Sequence, residues 1–168
     1  VQYIMKKSDF MGMRFHVDSR VLIPRQDTET LVEAVIIALQ GKQEPRVLDL
    51  CTGSGCIGIA IASRVKDAKV TLADLSREAL AVAKKNVVAH HMTGRVSCVQ
   101  ADAMDTPPAF LGQFDMIVSN PPYIPESERA DMDRNVVDFE PDMALFVPDN
   151  TPLVFYERIA DVALVGLR

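Results

Sequence analysis

The feature that most constrains this chain is the run Arg46-Val47-Leu48-Asp49-Leu50, followed at once by Cys51-Thr52-Gly53-Ser54-Gly55-Cys56 and an apolar stretch from Ile57 to about Arg64. A short apolar strand, a turn holding two glycines and a helix in direct succession predict the opening of a parallel β–α–β layer. The glycines let backbone amides approach a ligand closely, and the start of the helix favours an anionic group. Gly58 follows at the spacing of a dinucleotide-binding turn, which is one reading of the segment. Asp49 weighs against it, because a carboxylate just before the turn would repel a pyrophosphate and attract an ammonium or sulfonium group.

Two further strands end in acids. Lys69-Val70-Thr71-Leu72-Ala73-Asp74 places Asp74 where one carboxylate bridges the two hydroxyls of a ribose, or where it serves as a turn acid ahead of Ser76. Ser76 is expected to cap a helix whose buried face carries Leu80, Ala83 and Val87, running on to Gly94. Arg95 to Ala101 is the next strand. Asp102 after it either accepts from an adenine amino group, with Ala103 leaving room for the ring, or begins a turn. Pro107-Pro108 marks a surface loop.

A fourth strand, Asp115 to Ser119, runs straight into Asn120-Pro121-Pro122-Tyr123. Neither proline has a backbone N–H, and Pro121 pushes Asn120 toward an extended conformation, so the strand stops with the Asn120 side chain at the carboxyl edge of the sheet. Ligands bind at that edge in open α/β sheets. The Asn120 side-chain oxygen and the Pro121 carbonyl form a pair of acceptors suited to a planar NH₂ group, and Tyr123 is placed to cover its flat face. A plain Pro-rich turn and a ligand for a partner domain are the competing readings.

The remaining segments frame this core. Residues Phe10 to Pro24 alternate around Asp18-Ser19-Arg20, which predicts a β-hairpin with its turn there. Asp27 or Thr28 is expected to cap a helix with an apolar stripe of Leu31, Val32, Val35, Ile36, Ala38 and Leu39, ending at Gly41. Arg25 and Glu29 would make a local ion pair or face a cofactor. Ile124 to Asp138 is polar and reads as a mobile loop over the sheet edge, and a last helix starts near Thr151 and Pro152.

The expected layout is an N-terminal segment with the hairpin over residues 1–26 and a partial catalytic domain over 27–168. No apolar run approaches ~18 residues, so no membrane segment is predicted. Cys51, Cys56 and Cys98 lack metal or disulfide spacing, and His16, His90 and His91 form no ligand pattern; no metal is expected. His90 and His91 are expected near a helix end. The absence of a leader-like block after Val1 points to the cytoplasm. A net charge of −5 argues against a duplex-binding surface and hence against direct nucleic-acid binding.

In this order, the glycine turn, the two acid-ended strands and Asn-Pro-Pro-Tyr resemble the class I methyltransferases that use S-adenosylmethionine. The chain is more closely similar to the family that methylates the side-chain nitrogen of glutamine in peptide-chain release factors. The resemblance runs through Phe10-x-Gly12-x-x-Phe15, Leu22-Ile23-Pro24-Arg25-x-x-Thr28-Glu29, Asp49 to Gly55, Asn120 to Tyr123 and Phe139-Glu140-Pro141. It implies a Rossmann-like sheet truncated to its first four strands, in the order 3-2-1-4, whose last strand is a hydrophobic edge. S-adenosylmethionine would be held by Asp49, Cys51, Thr52, Gly53, Ser54, Gly55, Asp74, Asp102, Ala103 and Asn120. Asn120 and Pro121 would be catalytic and, with Pro122 and Tyr123, would bind the amide of the release factor. Gln26 and Cys51 depart from the family, which often has proline and glycine there. The family's preceding helical domain and final strands are expected to be missing, which makes an inactive cofactor-binding fragment one alternative. Glutamine methylation of a ribosomal protein and methylation of an exocyclic base amine are the others.

Overall fold

In the computed structural model, which describes residues 2–105 and 112–168, the centre is a four-stranded parallel sheet. Its strands are β3 (Arg46–Leu50), β4 (Lys69–Asp74), β5 (Val96–Gln100) and β6 (Met116–Ser119), in the spatial order β5-β4-β3-β6. This is the expected 3-2-1-4 arrangement. Ahead of it lie a short helix α1 (Gln2–Met5) and a hairpin of β1 (Lys7–Phe10) and β2 (Met13–His16).

Alternation along the strands explains the layering. Val47, Val70, Leu72, Val96 and Val118 face one side, where helices α2 (Asp27–Ala38), α3 (Cys56–Arg64) and α4 (Arg77–Ala89) supply Val32, Val35, Ile59, Ala83 and Val87. Leu48, Leu50 and Ala73 face the other side, against Phe114 and against Val162 of the last helix, α7 (Val154–Gly166). Phe10 and Phe15 of the hairpin join the first core, so the hairpin shares the sheet's apolar interior.

Several local expectations are corrected. The hairpin turn lies at Met11-Gly12, where Gly12 has φ 73°, and Asp18 to Arg20 forms a separate turn closed by Val21 N–H to Asp18 O. The glycine beats the Asp-Ser-Arg run because a two-residue hairpin turn needs positive φ. Helix α2 is capped by Gln26 with no side-chain bond, and Asp27 is its first residue. Gln26 sits at φ −61°, a value proline adopts without strain. Arg25 and Glu29 do not pair: Glu29 accepts from the Met11 amide at 2.6 Å, and Arg25 reaches Glu140.

The polar stretch after Tyr123 is built rather than a structureless loop. Strand β7 (Ile124–Pro125) pairs in parallel with β8 (Phe146–Val147), and between them run a 3₁₀ turn (Glu126–Asp131) and helices α5 (Arg134–Val137) and α6 (Asp142–Leu145). Arg129 ties it together, bridging Glu126 and Asp142 and lying 3.9 Å over the Phe146 ring. Strand β6 is an edge of the four-stranded sheet as expected. Among the described residues, the backbone pairing on that side is a single bridge just before the strand, at Phe114 beside Leu167. Met116 and Ile117 are accordingly half-buried and Val118 alone is fully covered. Pro107-Pro108 lies outside the described residues.

Gly58 lies inside α3, where the helix presses on β4. A Cβ there would come within 2.3 Å of Leu72 Cδ2 and 2.9 Å of Val70 Cγ1. Gly58→Ala should therefore lower stability by ~1–3 kcal/mol, read from urea unfolding midpoints. Gly94→Ala, with open space around it, should stay within about 0.5 kcal/mol of the parent.

Candidate active site

The strand order reverses between β3 and β6: the chain steps outward from β3 to β4 and β5, then returns to the far side of β3. A crevice opens at such a point above the carboxyl ends of the strands. Register sets what faces it. Leu50 pairs with Ala73 on one side and Ser119 on the other, so Cys51, Asp74 and Asn120 all leave the sheet one rung higher, at one level. With about 4.8 Å between neighbouring strands, the edge from β5 to β6 spans roughly 14 Å.

The turn after β3 is shaped from below. Asp49 is wholly buried, and its Oδ2 accepts from the Thr52 hydroxyl at 2.6 Å and from the Gly58 amide at 2.9 Å. Burial pushes its carboxyl up to about 7, against the smaller lowering effect of those two bonds. The turn itself passes through positive φ at Cys51 (56°), Gly53 (54°) and Gly55 (82°). Cys51 thus occupies a conformation that glycine adopts without strain. Its thiol is pushed up to about 12, mainly by burial, which keeps it in the neutral form.

From the side, Asp74 accepts from the Gly53 amide at 2.8 Å through Oδ2 and from the Ser76 amide at 2.9 Å through Oδ1. Its pKa is raised, chiefly by burial. Ser76 caps α4 by accepting from the Ala79 amide, as expected. Asp102 accepts from the Met104 amide at 2.8 Å, which makes it a turn acid on the cavity wall.

Sequence reasoning missed Asn86. It is fully buried on α4, where its amide oxygen accepts from the His16 amide and its nitrogen donates to the carbonyls of His16 and Ser54. One side chain thereby fastens the hairpin to the glycine turn. The available signal was a polar residue on the stripe formed by Leu80, Ala83 and Val87. His90 is the C-cap of α4, as the sequence implied, and its ring lies 4.9 Å from that of Phe15.

Two cavities meet at this edge. The first, about 450 Å³, is lined by Cys51, Thr52, Gly53, Ser54, Asp74, Asp102, Ala103, Asn120 and Pro122, so most of the expected donor-binding set comes together. Asp49 and Gly55 do not line it. Asp49 lies beneath the turn with its oxygens turned inward, and Gly55 opens α3 against Leu72, Ile59 and Ala83, with no room for a side chain. These two residues shape the turn rather than touch what it holds.

The second cavity, about 430 Å³, is lined by Asn120, Pro121 and Tyr123 and walled by apolar residues such as Leu31, Ile124 and Met132. Pro121 and Pro122 are buried and Tyr123 is 54% exposed. Asn120 lies on both cavities, together with Leu22, Arg25, Thr28 and Ala144. Of the segment from Ser19 to Thr28 across the first cavity, sequence reasoning offered only Arg25 as facing a cofactor.

The residues present fit an S-adenosylmethionine-sized ligand. Space is open over Gly53, and Asp74 keeps lone pairs for a diol on the wall of a crevice long enough for a nucleoside joined to an amino acid. Among the described residues no group of three His, Cys, Asp or Glu is placed to hold a metal ion, and no helix is long and apolar enough to cross a membrane.

A family model described as "Methyltransferase small domain" matches residues 26–138. The whole chain aligns at 43% identity with 59% of a release factor glutamine methyltransferase from Bacteroides thetaiotaomicron. A ribosomal protein uL3 glutamine methyltransferase from Francisella tularensis is 42% identical over 88% of this chain and 47% of its own length. The chain thus spans about three fifths or less of the length of these curated relatives. Among solved structures, the hMettl16 catalytic domain in complex with MAT2A 3'UTR hairpin 6 superposes with a TM-score of 0.73 at 18% identity. The match covers 94% of this chain and 60% of that one, which is a likeness of fold.

Because burial raises the Asp49 carboxyl, its contribution to stability has a definite sign. The folded state holds the proton up to about 7, whereas the unfolded chain releases it near 3.8. Stability from this group is fully present below the lower value and is lost as pH rises through the upper one. Urea midpoints of the parent should fall between pH 5 and pH 8 relative to those of Asp49→Asn, whose profile over the same window should be flatter.

Proposed function

The chain belongs to the methyltransferase small domain family, and on that premise we propose that it forms the catalytic part of an S-adenosylmethionine-dependent enzyme that methylates a glutamine side-chain amide in a peptide-chain release factor. The observation that carries this reading is Asn120, which sits on the wall common to a cavity bearing the glycine turn and a cavity bearing Pro121 and Tyr123. When bound, S-adenosylmethionine supplies a methyl group made electrophilic by its sulfonium. The turn from Cys51 to Ser54, Asp74, Asp102 and Ala103 would hold it, with Asp74 accepting from the ribose hydroxyls.

The acceptor side follows from amide chemistry. An amide nitrogen is a weak nucleophile because its lone pair is delocalised into the carbonyl, so orientation matters more than deprotonation. Among the described residues no donor claims the Asn120 side chain or the Pro121 carbonyl, and both are free to accept the two amide protons. As the nitrogen gains positive character, those bonds strengthen. Tyr123 covers the face of the amide, and the apolar wall of the second cavity takes the aliphatic stem of the side chain. Alignment of this kind lowers barriers by about 7–11 kcal/mol.

Charge favours a protein acceptor over nucleic acid. Between Ile124 and Asp149, beside the second cavity, eight acids stand against two arginines, a balance that repels phosphates. The similarity to relatives named for release factors is the reason to prefer that partner, and the uL3 relative makes a ribosomal-protein glutamine the second reading.

The test offers labelled methyl donor with release factor, ribosomal protein and DNA in separate reactions of the protein that carries this chain; label should enter the release factor at a glutamine. Asn120→Ala should lower turnover by about two to three decades while donor affinity is kept. Undiminished turnover removes Asn120 from the chemistry.

A further inference from the structure

Of the five side chains on the wall shared by the two cavities, Arg25 alone is ionisable. Its Nη2 donates to Oε1 of Glu140 at 2.6 Å, across 115 residues of chain. The Glu140 side chain is 3% exposed against 42% for Arg25, and its Oε2 has no partner among the described residues. Burying a carboxylate this deeply is expensive, and anchoring a half-exposed arginine does not require it. The charges around the first cavity share a pattern. Asp74, Glu78 and Asp102 line it as acids, and its other arginine, Arg20, is likewise bound to a carboxylate, Asp18, at 2.6 Å. Both guanidinium groups on this cavity are therefore neutralised, and the remaining charged groups lining it are negative.

We infer that Glu140 is the counter-charge that keeps the shared wall neutral, so that a cationic methyl donor can lie in the first cavity beside Arg25. The inference rests on the cofactor reading above and concerns the charge of the donor, not the identity of the acceptor. Without Glu140, the guanidinium would face the sulfonium as a bare cation across a partly buried wall, where like charges repel much more strongly than in water. Glu140 acts through Arg25 and is a positioning residue. Its effect must therefore distinguish the charged donor from its uncharged thioether product, S-adenosylhomocysteine, which differs by one methyl group and one positive charge.

The experiment is a calorimetric titration of the protein and its variants with each of these two ligands, read as the ratio of their dissociation constants. Glu140→Gln should weaken the sulfonium ligand about tenfold relative to the thioether. The double variant Arg25→Gln with Glu140→Gln should return the ratio to that of the parent. Arg25→Gln alone should shift it the opposite way, toward the sulfonium, and it serves where Glu140→Gln does not fold. Equal weakening of both ligands in Glu140→Gln, an unrestored ratio in the double variant, or an unchanged ratio in Arg25→Gln each overturns the inference and leaves the cofactor reading standing. A parent protein that binds neither ligand overturns both.

Discussion

The contact on which the site depends is the pair of hydrogen bonds that the buried Asp49 carboxylate accepts from Thr52 and Gly58. Through them one side chain holds the end of a strand, the turn that follows and the first turn of a helix in fixed relation. Gly58 is what lets the helix come near enough for its amide to reach that carboxylate, because any side chain there would strike Leu72. Asp74 from β4 and Asn86 from α4 then brace the same turn from two other directions. Of the three residues at positive φ in this turn only Cys51 bears a side chain, so the strain lies there, and this convergence of polar contacts holds the turn in place.

The polar interior of the molecule is concentrated at this edge. Away from it, the core is apolar, filled by valine, leucine, isoleucine and alanine with Phe10, Phe15 and Phe114. At the edge stand buried Asp49, Asn86, Thr52, Ser54 and Glu140. Buried polar groups are mostly partnered, and here each carboxylate is bonded through one of its oxygens, Asp49 by Oδ2 and Glu140 by Oε1. Two of these buried groups link segments far apart in the chain, Asn86 the hairpin to α4 and Glu140 the entry of α2 to the segment before α6, while Asp49 ties its strand to the helix that follows.

The sheet was legible in the sequence because its strands are short apolar runs that end at or beside Asp49, Asp74 and Asn120 and soon meet turn residues: Thr52 and Gly53, Ser76, and Pro121. Periodicity and turn chemistry are local, and they found these positions. The family resemblance then put roles on them. What stayed hidden depends on contacts between distant residues. Nothing local says that Arg25 meets Glu140, that Glu29 reaches back to the Met11 amide, or that Asn86 joins two loops. The hairpin turn was misplaced because the Asp-Ser-Arg run looked more turn-like than Met11-Gly12, although positive φ favoured the glycine. Asp49 was read as facing a ligand because its charge suggested so, and burial decided otherwise. The polar stretch after Tyr123 passed for a loop because its helices are four residues long, too short for any periodicity to show.

The level alignment of Cys51, Asp74 and Asn120 has a consequence for how such a molecule can vary over evolutionary time. Side chains alternate between faces along a strand, so deleting one residue from within β6 would not merely shift Asn120; it would turn that amide to the opposite face and unseat Val118 from the interior in the same stroke. Insertions between strands carry no such penalty. Drift in length is thereby channelled into the connections, while the strands keep count.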